Sequence, residues 1–477
     1  MIKRAEQFTI KNISIWRVGQ EMGEPYTILT NTIMGFQYFE DIFSPSISAT
    51  LVVLDKAANL PAYMPIQGFE KVVIEVKDYK GDDHQFDFRV WKIGNRVSTS
   101  NGQGYTLGLI GDQGLTNEGV TVNKPIVGKA DAIVKEVLMK YLNVPESMVK
   151  TDESVNLMKI FPSGKKPFTV IRELQTKAIS KDSLGGGTGK PASSKISGDG
   201  GTISNHSSDV ADNAKILKGT AGYFFWEDRD GFNFKSIDSL ASDDPKKFGG
   251  AGIVASYEYA PAMVSGGVSN DRKIQEVTFR SELDILKKMR EGAFSAQCSF
   301  FDINTGVYDE YIYKLSDNWN QMAHLGPLTK LPQGQKDLSQ FPTRRFSTVV
   351  NHEYWYNGTE VASNESKDNS DEPSEITDNQ KQYLVQSISR AGIMFNQQLA
   401  ISVTGNLDLR AGQKIEVKIP NQVPEKDKEK LGSFDPEHSG VYLISKLNHQ
   451  FDRTTMNVYT VLELIRDCTG HEETLVK

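Results

Sequence analysis

Hydrophobic and polar positions alternate most clearly near the C-terminal end of the chain. β-Branched and aromatic residues recur at period two in two runs, Val441 to Lys446 and Val458 to Leu464. The segment Phe451 to Thr455 between them has the composition of a turn. A period of two with these residue types indicates strands rather than a helix. The pattern therefore predicts a β-hairpin.

Residues 1–115 carry the same alternation in several short runs. Two of these runs flank a Gly/Asp turn at Lys80 to Asp83, which is typical of a hairpin. The predicted strands are Phe8 to Val18, Ile47 to Asp55, Lys71 to Tyr79, Phe86 to Ile93 and Tyr105 to Ile110. Short strands separated by turns predict a small β-barrel in this region.

The hydrophobic period lengthens in residues 116–253. Apolar residues recur every three to four positions from Lys129 to Leu142, which predicts an amphipathic helix, and Pro167 indicates the start of a second helix. Strand patterns return at Gly222 to Trp226 and Phe232 to Ile237. We therefore expect residues 116–253 to form a lateral α+β domain.

Two polar segments are predicted to lie outside any hydrophobic core. Residues 182–214 are rich in Gly, Ser and Asp, and residues 362–379 are acidic and polar. Neither composition can bury enough apolar surface to stabilise a fold. We expect a mobile insertion at 182–214 and an exposed loop at 362–379.

Strand patterns dominate again toward the C-terminal end. Residues 254–275 together with 390–468 predict a second β-barrel, with a mixed α/β region at 276–389 inserted between them. In this barrel Leu462 and Leu464 are expected to face inward, because Glu463 between them is better solvated on the opposite face. The predicted fold class is mainly β with α+β insertions, in the form of two small β-barrels plus lateral α/β domains.

Composition excludes several classes of protein. A chain of 477 residues needs more than one core. No apolar run approaches the roughly 20 residues that span a bilayer, and no secretory signal is expected. The two cysteines are too few for a disulfide framework, which favours a reducing compartment. With 54 basic and 61 acidic residues and no basic cluster, the net charge of −7 argues against a protein that grips DNA phosphates.

A glycine run ending in Lys190 resembles a phosphate-binding loop. That loop needs Gly five places before its Gly-Lys pair and Ser or Thr after the Lys. Leu184 and Pro191 occupy those places. We therefore interpret the run as part of the insertion, with no nucleotide cofactor.

His352 and Glu353 begin like the zinc-protease motif. The second histidine of that motif should stand at position 356, where the chain has Tyr356. The other histidines are scattered singly. We therefore expect no catalytic metal and no metal ligands.

The segment Asp228 to Gly231 resembles the centre of a calcium loop. Aligning Gly231 with the loop's glycine places Trp226 and Ile237 where acidic ligands are needed. Asp favours the start of a turn, and Gly adopts positive φ at low cost. We interpret Glu227 to Gly231 as the connection of a hairpin.

Three segments together resemble the central baseplate hub of contractile-tailed bacteriophages, a family similar to the hub part of secretion-system spike proteins. The first is Asp41 to Val76, which contains the motifs Phe-Ser-Pro-Ser-Ile and Pro-Ile-x-Gly-x-Glu. The second is Gly222 to Asp238. The third combines Leu407 to Pro420 with Ser439 to Asp467. None of these segments carries a catalytic motif.

The resemblance implies a structural virion protein without catalytic, cofactor or metal residues. Two tube-lining barrels in each chain would give six barrels in a homotrimer, which would adapt the threefold central spike below to the sixfold tail tube above. Tube-initiator and neighbouring baseplate wedge proteins would be further partners. DNA would pass through the ring during ejection without specific binding, and no membrane would be contacted. The expected location is the tail baseplate, with assembly in the host cytoplasm.

Two alternatives remain open at this point. The chain could be the hub of a secretion-type contractile apparatus, which is a related structural function. It could also be a tail-associated β-protein that binds or cleaves glycans. An enzyme of that kind would need two carboxylates at a defined separation, and no motif in the sequence places such a pair.

Overall fold

The computed structural model confirms the predicted fold class, because it is mainly β with additional sheets and a few helices. It describes residues 7–28, 32–55, 64–99, 102–181, 220–242, 250–260, 270–281, 284–301, 303, 306, 308–319, 322–326, 341–349, 376–421 and 433–468. The predicted insertion at 182–214 lies outside these residues.

The N-terminal region contains β1 (Thr9–Trp16), β2 (Tyr26–Thr27), β3 (Ile33–Asp41), β4 (Ser48–Asp55), β5 (Lys71–Lys77), β6 (Asp83–Thr99) and β7 (Gly102–Ile110). These strands pair in the order β3-β4-β7-β6-β5-β1-β2, and all the pairs are antiparallel. Among the described residues no ladder joins β3 to β1, so the small β-barrel predicted for residues 1–115 is not closed by strand pairing. Apolar residues of their inward faces form one side of the largest hydrophobic core.

A lateral α+β region follows β7. Its elements are α1 (Asp112–Gly119), β8 (Ile126–Lys129), α2 (Ala130–Leu142), a 3-10 turn (Glu146–Met148), β9 (Val149–Thr151), β10 (Leu157–Ile160), α3 (Pro167–Gln175), β11 (Tyr223–Asp228), β12 (Gly231–Ser236) and α4 (Ile237–Ala241). Helices α2 and α3 pack their apolar faces on the β11–β12 hairpin in a second core. Pro167 begins α3, as predicted.

The C-terminal part of the chain contains more strands and a second inserted region. Its elements are β13 (Ile253–Tyr259), a 3-10 turn (Asn270–Arg272), β14 (Lys273–Ser281), α5 (Ile285–Glu291), β15 (Ser295–Phe301), β16 (Tyr308–Lys314), α6 (Leu315–Asn318), β17 (Arg344–Val349), α7 (Ile376–Ile393), β18 (Gln397–Thr404), β19 (Lys414–Lys418), β20 (Gly440–Asp452) and β21 (Asn457–Arg466). Strands β15 to β17 form a separate sheet, which packs on α7 over a third core.

Six of these strands close into a barrel, in the order β13-β14-β18-β21-β20-β19. The ladder between β19 and β13 completes the circle. Leu462 on β21 is buried inside this barrel, which confirms the predicted inward face.

The two sets of strands follow the same order. We call β1 and β3 to β7 the first repeat, and β13, β14 and β18 to β21 the second repeat. Counted along the chain, strands two to six pair in the order two-three-six-five-four in both repeats, always antiparallel. The first strand lies beside the fourth in both, but β1 is antiparallel to β5 whereas β13 is parallel to β19. The second to sixth strands therefore agree in order and direction, and the first strand agrees in position only.

Irregularities of the ladders also recur at matching places. The β6–β7 ladder has a bulge between Val90 and Lys92, and the β20–β21 ladder has one between Ile444 and Lys446. The β3–β4 and β14–β18 ladders both shift register directly after their first pair. A bulge re-aims a strand and fixes its pairing. The repeat therefore extends to individual residues at these two places, whereas the shifts between Gly94 and Val97 and between Phe279 and Ser281 each occur in one repeat only.

The turn before the fourth strand repeats as well. The backbone N–H of Phe69 donates to the carbonyl of Val90 at 2.7 Å, and that of Gly412 donates to the carbonyl of Ile444 at 2.8 Å. Phe69 has φ of 69° and Gly412 has φ of 85°. Positive φ at a phenylalanine is unfavourable, so the fold requires this turn in both repeats.

Some predicted boundaries are wrong. Strand β6 continues to Thr99, beyond the predicted end at Ile93. Strand β14 continues to Ser281, past the predicted limit of the second barrel segment at 275. Helix α7 begins at Ile376, so residues 376–379 are helix and not the exposed loop predicted for 362–379; residues 362–375 lie outside the described residues.

Candidate functional site: the internal joint

The two repeats are joined by a strand pair within the chain. Strand β20 runs antiparallel to β3, from Lys446 opposite Asp41 to Asp452 opposite Gly35. We call this ladder the internal joint. It links both repeats into one sheet and merges their apolar faces into a single core. The joint therefore holds the two repeats in one fixed arrangement.

Aromatic side chains fill the core at the internal joint. Phe451 lies opposite Phe36, with ring centroids 5.1 Å apart in a stacked arrangement. His449 lies opposite Tyr38 and stacks on it at 6.0 Å. All four side chains are buried. Such pairs each contribute about 0.5–1.5 kcal/mol beyond the area they bury.

A buried carboxylate lies beside these rings. Glu40 on β3 accepts hydrogen bonds from the Tyr38 hydroxyl at 2.7 Å, the Ala411 N–H at 2.7 Å and the Arg229 N–H at 3.2 Å. Burial and the nearby charge of Asp228 together raise the pKa of Glu40 to about 7, against the opposing effect of Arg410. Glu40 thus connects the first repeat, the second repeat and the lateral region at one point.

The turn Asp228 to Gly231 docks at the internal joint. Arg410 Nε donates to Asp230 Oδ2 at 3.1 Å, and the Arg229 guanidinium lies 5.2 Å from the centre of the Phe86 ring. The β11–β12 hairpin confirms the predicted pair of strands, but its connection is shorter than the predicted Glu227 to Gly231, because Asp228 already pairs with Gly231. The sequence patterns did not predict the docking. The only signal was an arginine flanked by two acids within a turn.

A second buried carboxylate fixes the same hairpin. Glu227 accepts a hydrogen bond from the Ile47 N–H at 3.0 Å and from the Ser46 hydroxyl at 2.9 Å. Burial, with smaller contributions from the negative charges of Asp228 and Asp112, raises the pKa of Glu227 to about 8, although the two hydrogen bonds oppose the shift. The protonated form of Glu227 is therefore favoured in the folded protein.

A buried arginine connects the inserted helix to the rest of the chain. Arg390 on α7 donates to Asp238 Oδ1 at 3.0 Å and to the Ala323 carbonyl at 2.7 Å. Its other terminal nitrogen lies 3.9 Å from Asp467, which directly follows β21. Removing one partner of such a buried ion pair strongly destabilises a protein, because the other charge stays buried without a partner. Arg390 therefore couples the two lateral regions to the second repeat.

The comparison with solved structures decides the fold. The chain is similar to the tail protein from Neisseria meningitidis MC58, at 11% identity over 97% of both chains with a TM-score of 0.51. The chain has the fold of this tail protein. At this identity the similarity shows the fold alone, and it confirms the predicted resemblance at that level.

Two further similarities to this tail-protein fold are weaker. The 43 kDa tail protein of prophage MuSo2 from Shewanella oneidensis aligns at 10% identity over 96% of this chain and 98% of its own, with a TM-score of 0.49. A chain of the Francisella PdpA-VgrG complex aligns at 8% identity over 100% of this chain and 60% of its own, with a TM-score of 0.44. No protein-family model matches the chain, and no curated protein does.

Of the candidate chemical residues Lys190, His352 and Asp230, only Asp230 lies in the described part of the chain. Lys190 and His352 lie outside the described residues, whereas Asp230 is paired with Arg410. Within the described part of the chain, no group of three or more His, Cys, Asp or Glu side chains could hold a metal ion. No helix among those residues is long and apolar enough to cross a membrane.

The cysteines are placed for packing. Cys298 and Cys468 are both free and buried. Burial raises the pKa of each thiol to about 12. A thiol with such a pKa is almost wholly protonated at neutral pH and is a poor nucleophile.

Proposed function

We propose that this chain is the structural hub of a tail baseplate, and that it acts as a homotrimer. Each subunit would contribute two barrel regions to a ring of six, one from residues 1–115 and one from 254–275 with 390–468. The regions 116–253 and 276–389 would lie at the sides. The ring would adapt a threefold central spike to a sixfold tail tube, with no reaction catalysed.

The repeat of strand order and bulge positions carries this proposal. A cyclic trimer offers six equivalent places only if each subunit supplies two similar units. The two repeats are similar units, and the internal joint holds them side by side in one chain. A catalytic or glycan-binding protein has no comparable need for a repeat of this kind.

Charge is consistent with a ring around DNA. Three copies would carry a net charge of 3 × (−7) = −21. An acidic ring repels the phosphate backbone, so DNA could pass through during ejection without being held. We propose the spike below, tube-initiator or tube proteins above and wedge proteins around the ring as partners, in the virion baseplate and during assembly in the host cytoplasm.

The mass of the native protein tests this proposal. We expect native mass spectrometry to give three times 53.1 kDa, alone or with the spike protein co-expressed. A monomer or a dimer at every concentration under both conditions would contradict the hub function. A monomer with measurable glycan affinity would favour the alternative stated above.

A further inference from the structure

We propose that the ring closes by strand pairing between copies, in which β6 of one copy pairs with β14 of the next. This inference rests on the proposed trimer and names the surfaces that hold it together. We call residues 91–99 of β6 the first outer edge and residues 275–281 of β14 the second outer edge. Each is the side of a strand that has no partner strand in the described part of the chain.

The first outer edge is long. Strand β5 pairs with β6 only from Asp83 to Arg89. From Val90 to Thr99, β6 is paired with β7 alone. The backbone groups on the other side of this half of β6 therefore face no strand among the described residues.

The second outer edge belongs to the closed barrel. Strand β18 pairs with β14 along its whole length, from Ile274 to Ser281. Strand β13 pairs only with Lys273 and Ile274, at the start of β14. The remaining side of β14 faces no other described strand. Open edges of this kind are templates for pairing with another chain.

The two outer edges lie on the strands that correspond, in the other repeat, to the two strands of the internal joint. In the common strand order β6 corresponds to β20, and β14 corresponds to β3. Because β20 and β3 pair within the chain, the same joint with the repeats exchanged would pair β6 with β14 of another copy. Alternating internal and intermolecular joints of one type produce a ring in which every barrel meets its neighbours in the same way.

Burial at equivalent positions supports this pairing. Leu447 on β20 is 1% exposed, whereas its equivalent on β6, Ile93, is 42% exposed. Tyr38 on β3 is 1% exposed, whereas its equivalent on β14, Phe279, is 43% exposed. The internal joint covers the first member of each pair. Apolar side chains that are exposed on the outer edges, at places whose equivalents in the internal joint are buried, indicate that a second copy of this chain covers them.

The internal joint also supplies a register. Gln450 on β20 lies opposite Gln37 on β3. Counted by their partners on β7 and β21, Val97 is the equivalent of Gln450, across a second bulge between Gly94 and Val97 that the β20–β21 ladder lacks. Thr278 is the equivalent of Gln37. Transferring the pairing places Val97 of one copy opposite Thr278 of the next.

A designed disulfide tests the register. Residues directly opposite each other in an antiparallel pair have Cα atoms about 4.5–5.5 Å apart, within the range of a disulfide. We expect the double variant Val97→Cys/Thr278→Cys to form covalent trimers on mild oxidation, seen on a non-reducing gel. Both natural cysteines are buried and contribute little background.

The matched control moves one cysteine along the strand. In Val97→Cys/Glu276→Cys the two thiols would be diagonal neighbours about 7–8 Å apart, so we expect at least tenfold less covalent trimer. A mixture of the two single variants, Val97→Cys and Thr278→Cys, should give covalent dimers. Equal yields from both double variants, or a disulfide formed within one chain, would overturn the register.

A second pair of variants tests the surface without cysteine chemistry. Phe279→Asp should raise the dissociation constant of the trimer at least about tenfold, since it removes a buried aromatic contact and adds a charge. Phe301→Asp is the control, because Phe301 is 45% exposed on β15, away from both outer edges. A trimer unaffected by Phe279→Asp would overturn the pairing while leaving the hub function in place. A wild-type protein that never forms a trimer would instead overturn the hub function itself.

Discussion

Individual carboxyl groups decide how the lateral hairpin is attached to the two repeats. Glu227 and Glu40 are both buried, and both accept hydrogen bonds from backbone N–H groups of other elements. Burial is the largest cause of the raised pKa of each group. These contacts join elements that are far apart in sequence, so they determine where the hairpin lies.

The raised pKa of Glu227 predicts a dependence of stability on pH. The ordinary pKa is 4.5 and the folded value is about 8, so between these values the folded state keeps a proton that the unfolded state has lost. The contribution of Glu227 to stability is therefore fully present below pH 4.5 and is lost as the pH rises through 8, with a slope of at most about 1.4 kcal/mol per pH unit. Glu227→Gln should remove this slope.

Urea denaturation of wild type and Glu227→Gln at several pH values between 5 and 8 measures the effect. As the pH rises, the free energy of unfolding of the variant should increase relative to that of the wild type. Glu136→Gln is the control, because Glu136 is exposed on α2 and pairs only with Lys140 on the same helix. Parallel pH curves for wild type and Glu227→Gln would show that this group does not take up a proton on folding.

At the scale of secondary structure, strand β21 provides the sharpest test of the barrel. Leu462 points into the core, whereas Val461 beside it is only partly buried on the opposite face. Leu462→Asp should therefore lower the free energy of unfolding by several kcal/mol, because it buries an unpaired carboxylate. Val461→Asp should lower it much less. Urea denaturation compares the two, and equal losses would mean that the inward face has been assigned incorrectly.

Period and composition were sufficient to predict single elements. The hairpin β20–β21, the amphipathic helix α2 and the start of α3 at Pro167 all follow from local patterns. The extension of β6 to Thr99 does not, because residues 94–99 are mainly polar and show no alternation. This half of β6 is a strand because it pairs with β7. Pairing with a neighbour can determine a strand that its own sequence does not indicate.

The amino-acid sequence contains one weak local indication of the structural repeat. Phe69-Glu70-Lys71 and Gly412-Gln413-Lys414 open equivalent strands, and each ends in lysine followed by alternating apolar residues. Positive φ at Phe69 cannot be predicted from its residue type, which rarely adopts that conformation. The similarity becomes visible only when strand order and register are known.

At the scale of the whole molecule, the internal joint could not have been predicted from the sequence. Alternation tells which face of a strand is buried, but it does not tell which strand lies beside it. Strands β3 and β20 are separated by most of the chain, and their pairing depends on the barrels, the docked hairpin and the buried carboxylates together. The candidate site is therefore a product of the tertiary fold.

Two outer edges on one molecule have a consequence for assembly. Pairing of β6 with β14 is a heterologous contact, which gives a closed ring only if the rotation between copies closes and a filament otherwise. The internal joint repeats the same contact within each chain, so the rotation between copies is expected to match the rotation between the two repeats. Because each copy contributes two repeats, a ring that closes after six repeats contains three copies.

An image of the assembled particle by electron cryomicroscopy, viewed along its axis, tests the central claim most directly. The density of the barrels should show sixfold rotational correlation, while the density of the lateral regions should show only threefold correlation. The structure supports this expectation through two repeats of one strand order in each chain. A particle whose barrels lack sixfold correlation, or whose subunit number is not three, would contradict the account.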